Sequence, residues 1–144
     1  MDPFFAFYLR GFALTGNVPD DVSALLARHG CLRTLEHSWR VAAEAGRLAR
    51  FWKENPGRAE TAGWLHDISV IVPPEERVDL ARRLGIDVLP EERAYPMILH
   101  QKLSAAMACE VFSIQDPAVL SAIECHTTLK AGAGRLDKIL FVAD

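Results

Sequence analysis

The chain has 144 residues, 50% of them hydrophobic and 24% charged. That composition excludes a disordered tail or a collagen-like fibre and is enough for one domain with a core of its own. A net charge of -3 and a pI near 5.9 leave no basic excess to neutralise a nucleic-acid backbone. Three cysteines without a CxxC pair, Cys31, Cys109 and Cys125, argue against a disulfide framework or a zinc ribbon and suit a reducing cytoplasm.

The first residues, MDPFFAFYLRGFAL, are apolar but open with Asp2 and carry Arg10. They lack the positive start and small-residue cleavage site of a signal peptide, and no apolar run approaches the ~20 residues of a bilayer span. The expectation is a cytoplasmic protein with neither nucleic acid nor membrane as partner. The aromatic run Phe4, Phe5, Phe7, Tyr8 and Phe12 is expected to pack on the chain's own core. The alternative is a neighbouring subunit, giving a homodimer.

Helical signals dominate the rest. Pro19-Asp20-Asp21 before Val22, Leu25 and Leu26 predicts a short helix with acidic residues in its first turn. Leu35, Trp39, Ala42, Ala45, Leu48, Ala49 and Trp52 recur at helical spacing, predicting a long helix that Asn55-Pro56-Gly57 ends. A helix is expected from Ala59 to Val70, stopped by Pro73-Pro74. Another is expected over Glu75 to Leu84, with Gly85 as C-cap. Ile98 to Phe112 reads as a further helix. Asp116-Pro117 opens one that runs to His126, because Asp can cap and Pro fits the first helical position. After a loop over Leu129 to Gly134, the residues Leu136, Ile139, Leu140 and Val142 begin a last helix. The β-branched cluster Ile68, Val70, Ile71 and Val72 is the only strand-like piece. The fold class is all-α, one domain.

The chemistry gathers at histidines. His37, His66, His100 and His126 sit at or near expected helix ends, His66 is followed by Asp67, and Asp144 follows an apolar helix. Imidazole and carboxylate together suit divalent first-row metals, and Asp67 has two oxygens with which to bridge two ions. Side chains of adjacent helical residues point about 100° apart, so His66 and Asp67 share a centre most easily at a helix end.

The order His37, His66-Asp67, His100, His126, Asp144 resembles the H…HD…H…H…D pattern of the HD-domain metal-dependent phosphohydrolases. The stretches AGWLHDIS, ILHQKLSAAMA, VLSAIECHTT and LDKILFVAD resemble its YqeK-like branch, symmetrical dinucleoside tetraphosphate hydrolases that cut diadenosine tetraphosphate into two ADP. The resemblance covers Leu35 to Asp144. It implies a single HD-domain helical bundle over residues 31–144, behind an N-terminal helical extension over 1–30. It also implies further helix beyond Asp144, so that the domain is expected to be cut short there.

The resemblance further implies two divalent ions, iron first, with manganese or another first-row metal as alternatives. His37, His66, Asp67 and Asp144 would hold one, and Asp67, His100 and His126 the other. A water activated by the pair would attack phosphorus in line. Asp67 is the candidate catalytic residue. Thr127, Thr128, Lys130, Lys102 and Arg33 are the candidates for gripping a nucleotide substrate. His29 matches nothing in the pattern and reads as a surface histidine. Three positions depart from the branch. Val70 replaces a lysine, so a phosphate cation is missing unless Arg77 or Lys102 substitutes. Leu129 replaces a glycine, which makes a tight loop less natural. Thr34 replaces an arginine, with Arg33 one residue earlier. Two other functions stay open: a nucleotidase or phosphatase for a smaller nucleotide, and a weakly catalytic nucleotide-binding regulatory module.

Overall fold

The structure, a computed structural model, describes residues 1–144 as helices and 3₁₀ turns without a strand. Four helices start by one device, an Asp or Asn side chain capping a backbone N–H with proline in the first turn. Asp2 opens α1 (Pro3–Tyr8) and Asn17 opens α2 (Val18–Arg28). After α3 (Leu32–Phe51), Asn55 opens α4 (Pro56–Leu65). Next come α5 (Arg77–Arg83), α6 (Pro90–Ala94) and α7 (His100–Glu110). Asp116 opens α8 (Pro117–Glu124), and α9 (Arg135–Ala143) closes the bundle. Asp116 is also gripped by Arg58 on α4, at 2.6 Å from Nε and 2.7 Å from Nη2, which ties α4 to the start of α8. No helix is long and apolar enough to cross a membrane, and all three cysteines are free.

The long helix α3 is the spine, packed by α2, α4 and α9. Its buried face is Ser38, Val41, Ala42, Ala45, Gly46 and Ala49, while Trp39 and Trp52, expected on that face, are exposed. The reason is the closeness of α4. A Cβ on Gly63 would lie 2.5 Å from the Cα and 2.7 Å from the N of Ala42, so the seam admits only small residues and the tryptophans are turned outward.

Three expected helices change character where they meet neighbours. The Ala59–Val70 segment stops at Leu65, and Ile68–Ile71 is a 3₁₀ turn, neither α-helix nor strand. Ser69 explains the break. Its N–H donates to Ser104 Oγ at 3.2 Å and its Oγ to the His100 carbonyl at 2.8 Å, which ties this turn to α7. Pro74–Glu76 and Pro96–Leu99 are likewise 3₁₀ turns leading into α5 and α7. One buried core joins α1 and α2 to the other helices through Phe5, Leu9, Val22, Leu25 and Leu26. Of the N-terminal aromatics, Phe5 is buried, Phe4, Tyr8 and Phe12 pack against the core, and Phe7 is exposed.

Candidate metal centre

The breaks bring the chemistry to one place. His66 and Asp67 occupy the joint between α4 and the 3₁₀ turn, and His100 is the first residue of α7. His126 lies just past α8, Asp144 follows α9, and His37 projects from α3. The four imidazoles form a chain, with ring centroids 5.1 Å apart for His37–His66, 4.9 Å for His66–His126 and 4.8 Å for His100–His126.

Asp67 divides that chain. Its Oδ2 lies 3.2 Å from His66 Nε2 and 3.8 Å from His37 Nε2. Its Oδ1 lies 3.3 Å from His100 Nε2 and 3.4 Å from His126 Nε2. Asp144 joins the first side, 2.7 Å from His37 Nε2 and 3.4 Å from His66 Nε2. Three overlapping groups, His37–His66–Asp67, His66–His126–Asp144 and Asp67–His100–His126, each bring their ligand atoms within 4.8 Å of one another.

The donor chemistry fits metal. Nδ1 of His66, His100 and His126 faces the carbonyls of Gly63 at 2.7 Å, Met97 at 2.5 Å and Ile123 at 2.7 Å. A carbonyl only accepts, so each Nδ1 carries a hydrogen and Nε2 is left for an ion. Nε2 of His100 and His126 face each other at 2.9 Å, an arrangement that a shared cation relieves. Buried His66 Nε2 meets no oxygen in hydrogen-bonding geometry, which is costly unless something is bound there. These His/Asp clusters have the donor set and the spacing that a dinuclear divalent-metal site requires.

Electrostatics agree. Burial alone would raise Asp67, but His100, His126 and His66 around its carboxylate hold it far below the usual carboxylate range. Burial would lower His66, yet Asp144 and Asp67 raise it, to about 10. Burial would also raise Asp144, and His66 and His37 hold it low. Without metal, a proton on His66 serves as the cation that the two carboxylates call for.

Around the centre, the other candidates separate. Thr127 Oγ1 is 3.3 Å from His100 Nε2. Lys102, Thr128 and Lys130 line a cavity of about 480 Å³ with Gln101 and Leu129. Lys102 Nζ is taken up there by Glu92, at 3.0 Å, and by the Asp87 carbonyl. Lys130 Nζ donates to Ser121 Oγ at 2.6 Å. Arg33 is exposed in the first turn of α3 and lines neither this cavity nor the smaller one beside Asp67. His29 is half-buried, its Nε2 3.1 Å from the Tyr8 carbonyl, so it closes the end of α1 instead of standing free on the surface. The loop forms despite Leu129, which takes the left-handed conformation at φ 57° that a glycine would adopt without strain.

One residue escaped the sequence reading. Gln101 is buried beside His100. Its Oε1 accepts from the N–H groups of Thr127 at 3.0 Å and Thr128 at 3.4 Å, and its Nε2 donates to Thr128 Oγ1 at 3.0 Å. It clamps the turn after His126 to α7, fixing two histidines relative to each other. Its only signal in the sequence is a place next to His100.

A family profile described as "HD domain" matches residues 34–144. The chain belongs to the HD-domain family. His66-Asp67 is the dipeptide of that name, and it sits at the middle of the centre. A protein of Lactococcus lactis subsp. cremoris, named only as uncharacterized and from the pepC 5' region, is 52% identical over 87 residues, 60% of this chain and 45% of the relative. The symmetrical bis(5'-nucleosyl)-tetraphosphatase of Staphylococcus aureus is 34% identical over 110 residues, 75% of this chain and 55% of that protein. The chain spans about half the length of these two relatives. Among solved structures, a predicted HD superfamily hydrolase involved in NAD metabolism, from Clostridium acetobutylicum, matches with a TM-score of 0.81 and 30% identity. That match covers 86% of this chain and 66% of the other.

Proposed function

We propose that this HD domain is a metal-dependent phosphohydrolase acting on a nucleoside polyphosphate, with diadenosine tetraphosphate cleaved symmetrically to two ADP as its reaction. The observation that carries the reading is the division of four imidazoles between the two oxygens of Asp67. The name of the Staphylococcus aureus relative supports the choice of substrate. His37, His66 and Asp144 would hold one divalent ion with Asp67, and His100 and His126 the other, with iron first. When bound, two such ions supply hydroxide at neutral pH and neutralise charge on phosphoryl oxygens.

The chain's own residues do the rest. Asp67 stays ionised and ties both halves together. The backbone carbonyls behind Nδ1 fix three imidazoles so that they do not turn away from the site. Thr127 places a hydroxyl against the His100 edge, where a phosphoryl oxygen would meet it. Thr128, Lys102 and Lys130 border the larger cavity, on the α7–α8 side of the centre, where a nucleoside arm fits.

A second reading, hydrolysis of a smaller nucleotide, is favoured by one observation: Lys102 is neutralised by Glu92, which weakens its pull on a long polyphosphate. The test is incubation of the protein, loaded anaerobically with ferrous iron, with diadenosine tetraphosphate, and separation of the nucleotides by chromatography. ADP as the sole early product supports the first reading. Absence of turnover there, with mononucleotides hydrolysed, replaces it with the second.

A further inference from the structure

A second, smaller cavity of about 220 Å³ adjoins the centre, lined by Asp67, Val70, Arg77, Met97 and His100. Arg77 is the only cation in it, and it is in an unusual state. It is 7% exposed. Its Nε donates to the Val72 carbonyl at 3.2 Å, and its two terminal nitrogens have neither a hydrogen-bond acceptor nor an ion-pair partner in the chain. The guanidinium is thus nearly buried, with its terminal nitrogens opening onto the cavity away from any ion-pair partner, and it is held beside a centre suited to two dications, which adds repulsion. Lys102, the other candidate to stand in for a charge at Val70, is already neutralised by Glu92 at 3.0 Å. Asp67 and the exposed, solvent-screened Glu75 attract Arg77 from beyond ion-pair distance, against the effect of burial. Two divalent ions would outweigh the charge of the two carboxylates, so Asp67 does not balance Arg77 once metal is bound. The partner that resolves both the burial and the repulsion is an anion lying between Arg77 and the metals.

We propose that Arg77 is a substrate-binding residue whose guanidinium fork takes a phosphate group at the Asp67–His100 edge of the centre. The Nε anchor on Val72 aims the fork, and a guanidinium matches phosphate oxygens two at a time. Val70 and Met97 form the uncharged walls, and Met97 lies exposed at the mouth. The identity of the phosphate compound rests on the function proposed above, while the anion site itself is open to test without turnover.

The experiment compares wild type, Arg77→Met and Arg77→Lys as manganese-loaded proteins. Metal content is measured, inorganic phosphate is titrated by calorimetry, and KM and kcat are taken on diadenosine tetraphosphate. Arg77→Met is expected to keep its metal, to bind phosphate about 10- to 100-fold more weakly, and to raise KM by a similar factor with a smaller change in kcat. Arg77→Lys recovers part of both. Phosphate binding unchanged in Arg77→Met overturns the proposal, as does loss of phosphate binding only in step with loss of metal, or a wild type that binds no phosphate. A wild type that binds phosphate through Arg77 but hydrolyses no polyphosphate sinks the functional reading and leaves Arg77 in place. Turnover with an unaltered KM in both variants does the reverse.

Discussion

Gly63→Ala sets two effects of opposite sign against each other, and the structure decides between them. Alanine in a helix interior is favoured over glycine by about 1 kcal/mol. On that basis alone the substitution in α4 stabilises. The added Cβ, however, falls 2.5 Å from Ala42 Cα, where ordinary contact begins at 3.4 Å. The obstructing atoms are backbone, so α4 must move away from α3 by nearly 1 Å. Overpacking of this kind costs about 1–3 kcal/mol, and rigid obstruction puts it at the upper end or beyond. The net expectation is about 2 kcal/mol of destabilisation, a fall of about 4–8 °C in Tm for a domain of this size. Because the Gly63 carbonyl accepts from His66 Nδ1, the same movement should weaken metal binding. Gly46→Ala is the comparison. Its Cβ meets only the side chain of Glu60, which can rotate aside, so its Tm should stay within about 3 °C of wild type. Thermal unfolding followed by circular dichroism reads both, and a Gly63→Ala variant as stable as wild type would refute the reasoning.

Asp67→Ala removes the one carboxylate shared by both halves of the centre and should abolish metal content and turnover together; normal metal content by elemental analysis would break the site assignment. Gln101→Leu leaves the N–H groups of Thr127 and Thr128 without their acceptor. That costs about 1 kcal/mol, read by urea unfolding, and should lower occupancy on the His100–His126 side; an unchanged midpoint would deny Gln101 its clamping role. In the metal-free protein His66 is raised from 6.5 to about 10, so its contribution to stability is complete below pH 6.5 and is lost as pH climbs toward 10. Asp67 and Asp144 are held below 3.8, so their contributions are present above pH 3.8 and are lost in acid. Urea midpoints of metal-free protein should therefore fall between pH 6.5 and 10, and a flat profile over that range would contradict the charge state assigned to His66.

Much of this was legible in the sequence because it is local. Asp116-Pro117 announces a helix start that depends only on its own side chains, and α8 begins there; Asn55-Pro56-Gly57 reads as the end of the long helix, yet Asn55 also caps α4, which begins at Pro56 and not at Ala59. The order of His and Asp residues likewise carried the centre without any distances. What escaped depends on neighbours. Ile68–Ile71 has the composition of either a strand or a helix end, and Ser69 bonding to α7 makes it a 3₁₀ turn. Helices α1 and α6, of six and five residues, are too short to form on propensity alone. They are held by burial of Phe5 and by the Glu92–Lys102 pair. Trp39 and Trp52 follow the helical period but not the buried face, since the face is chosen by how closely Gly63 lets α4 approach. The unpaired state of Arg77 and the clamp of Gln101 are facts of packing that no spacing encodes.

The central claim, that Asp67 stands between two metal ions, is tested most directly by anomalous diffraction from crystals of the iron-loaded protein. Two peaks are expected about 3.5–4 Å apart, one beside His37, His66 and Asp144, the other beside His100 and His126, with an oxygen of Asp67 directed at each. A single peak away from Asp67, or no peak in crystals grown from protein that retains its iron, would contradict it.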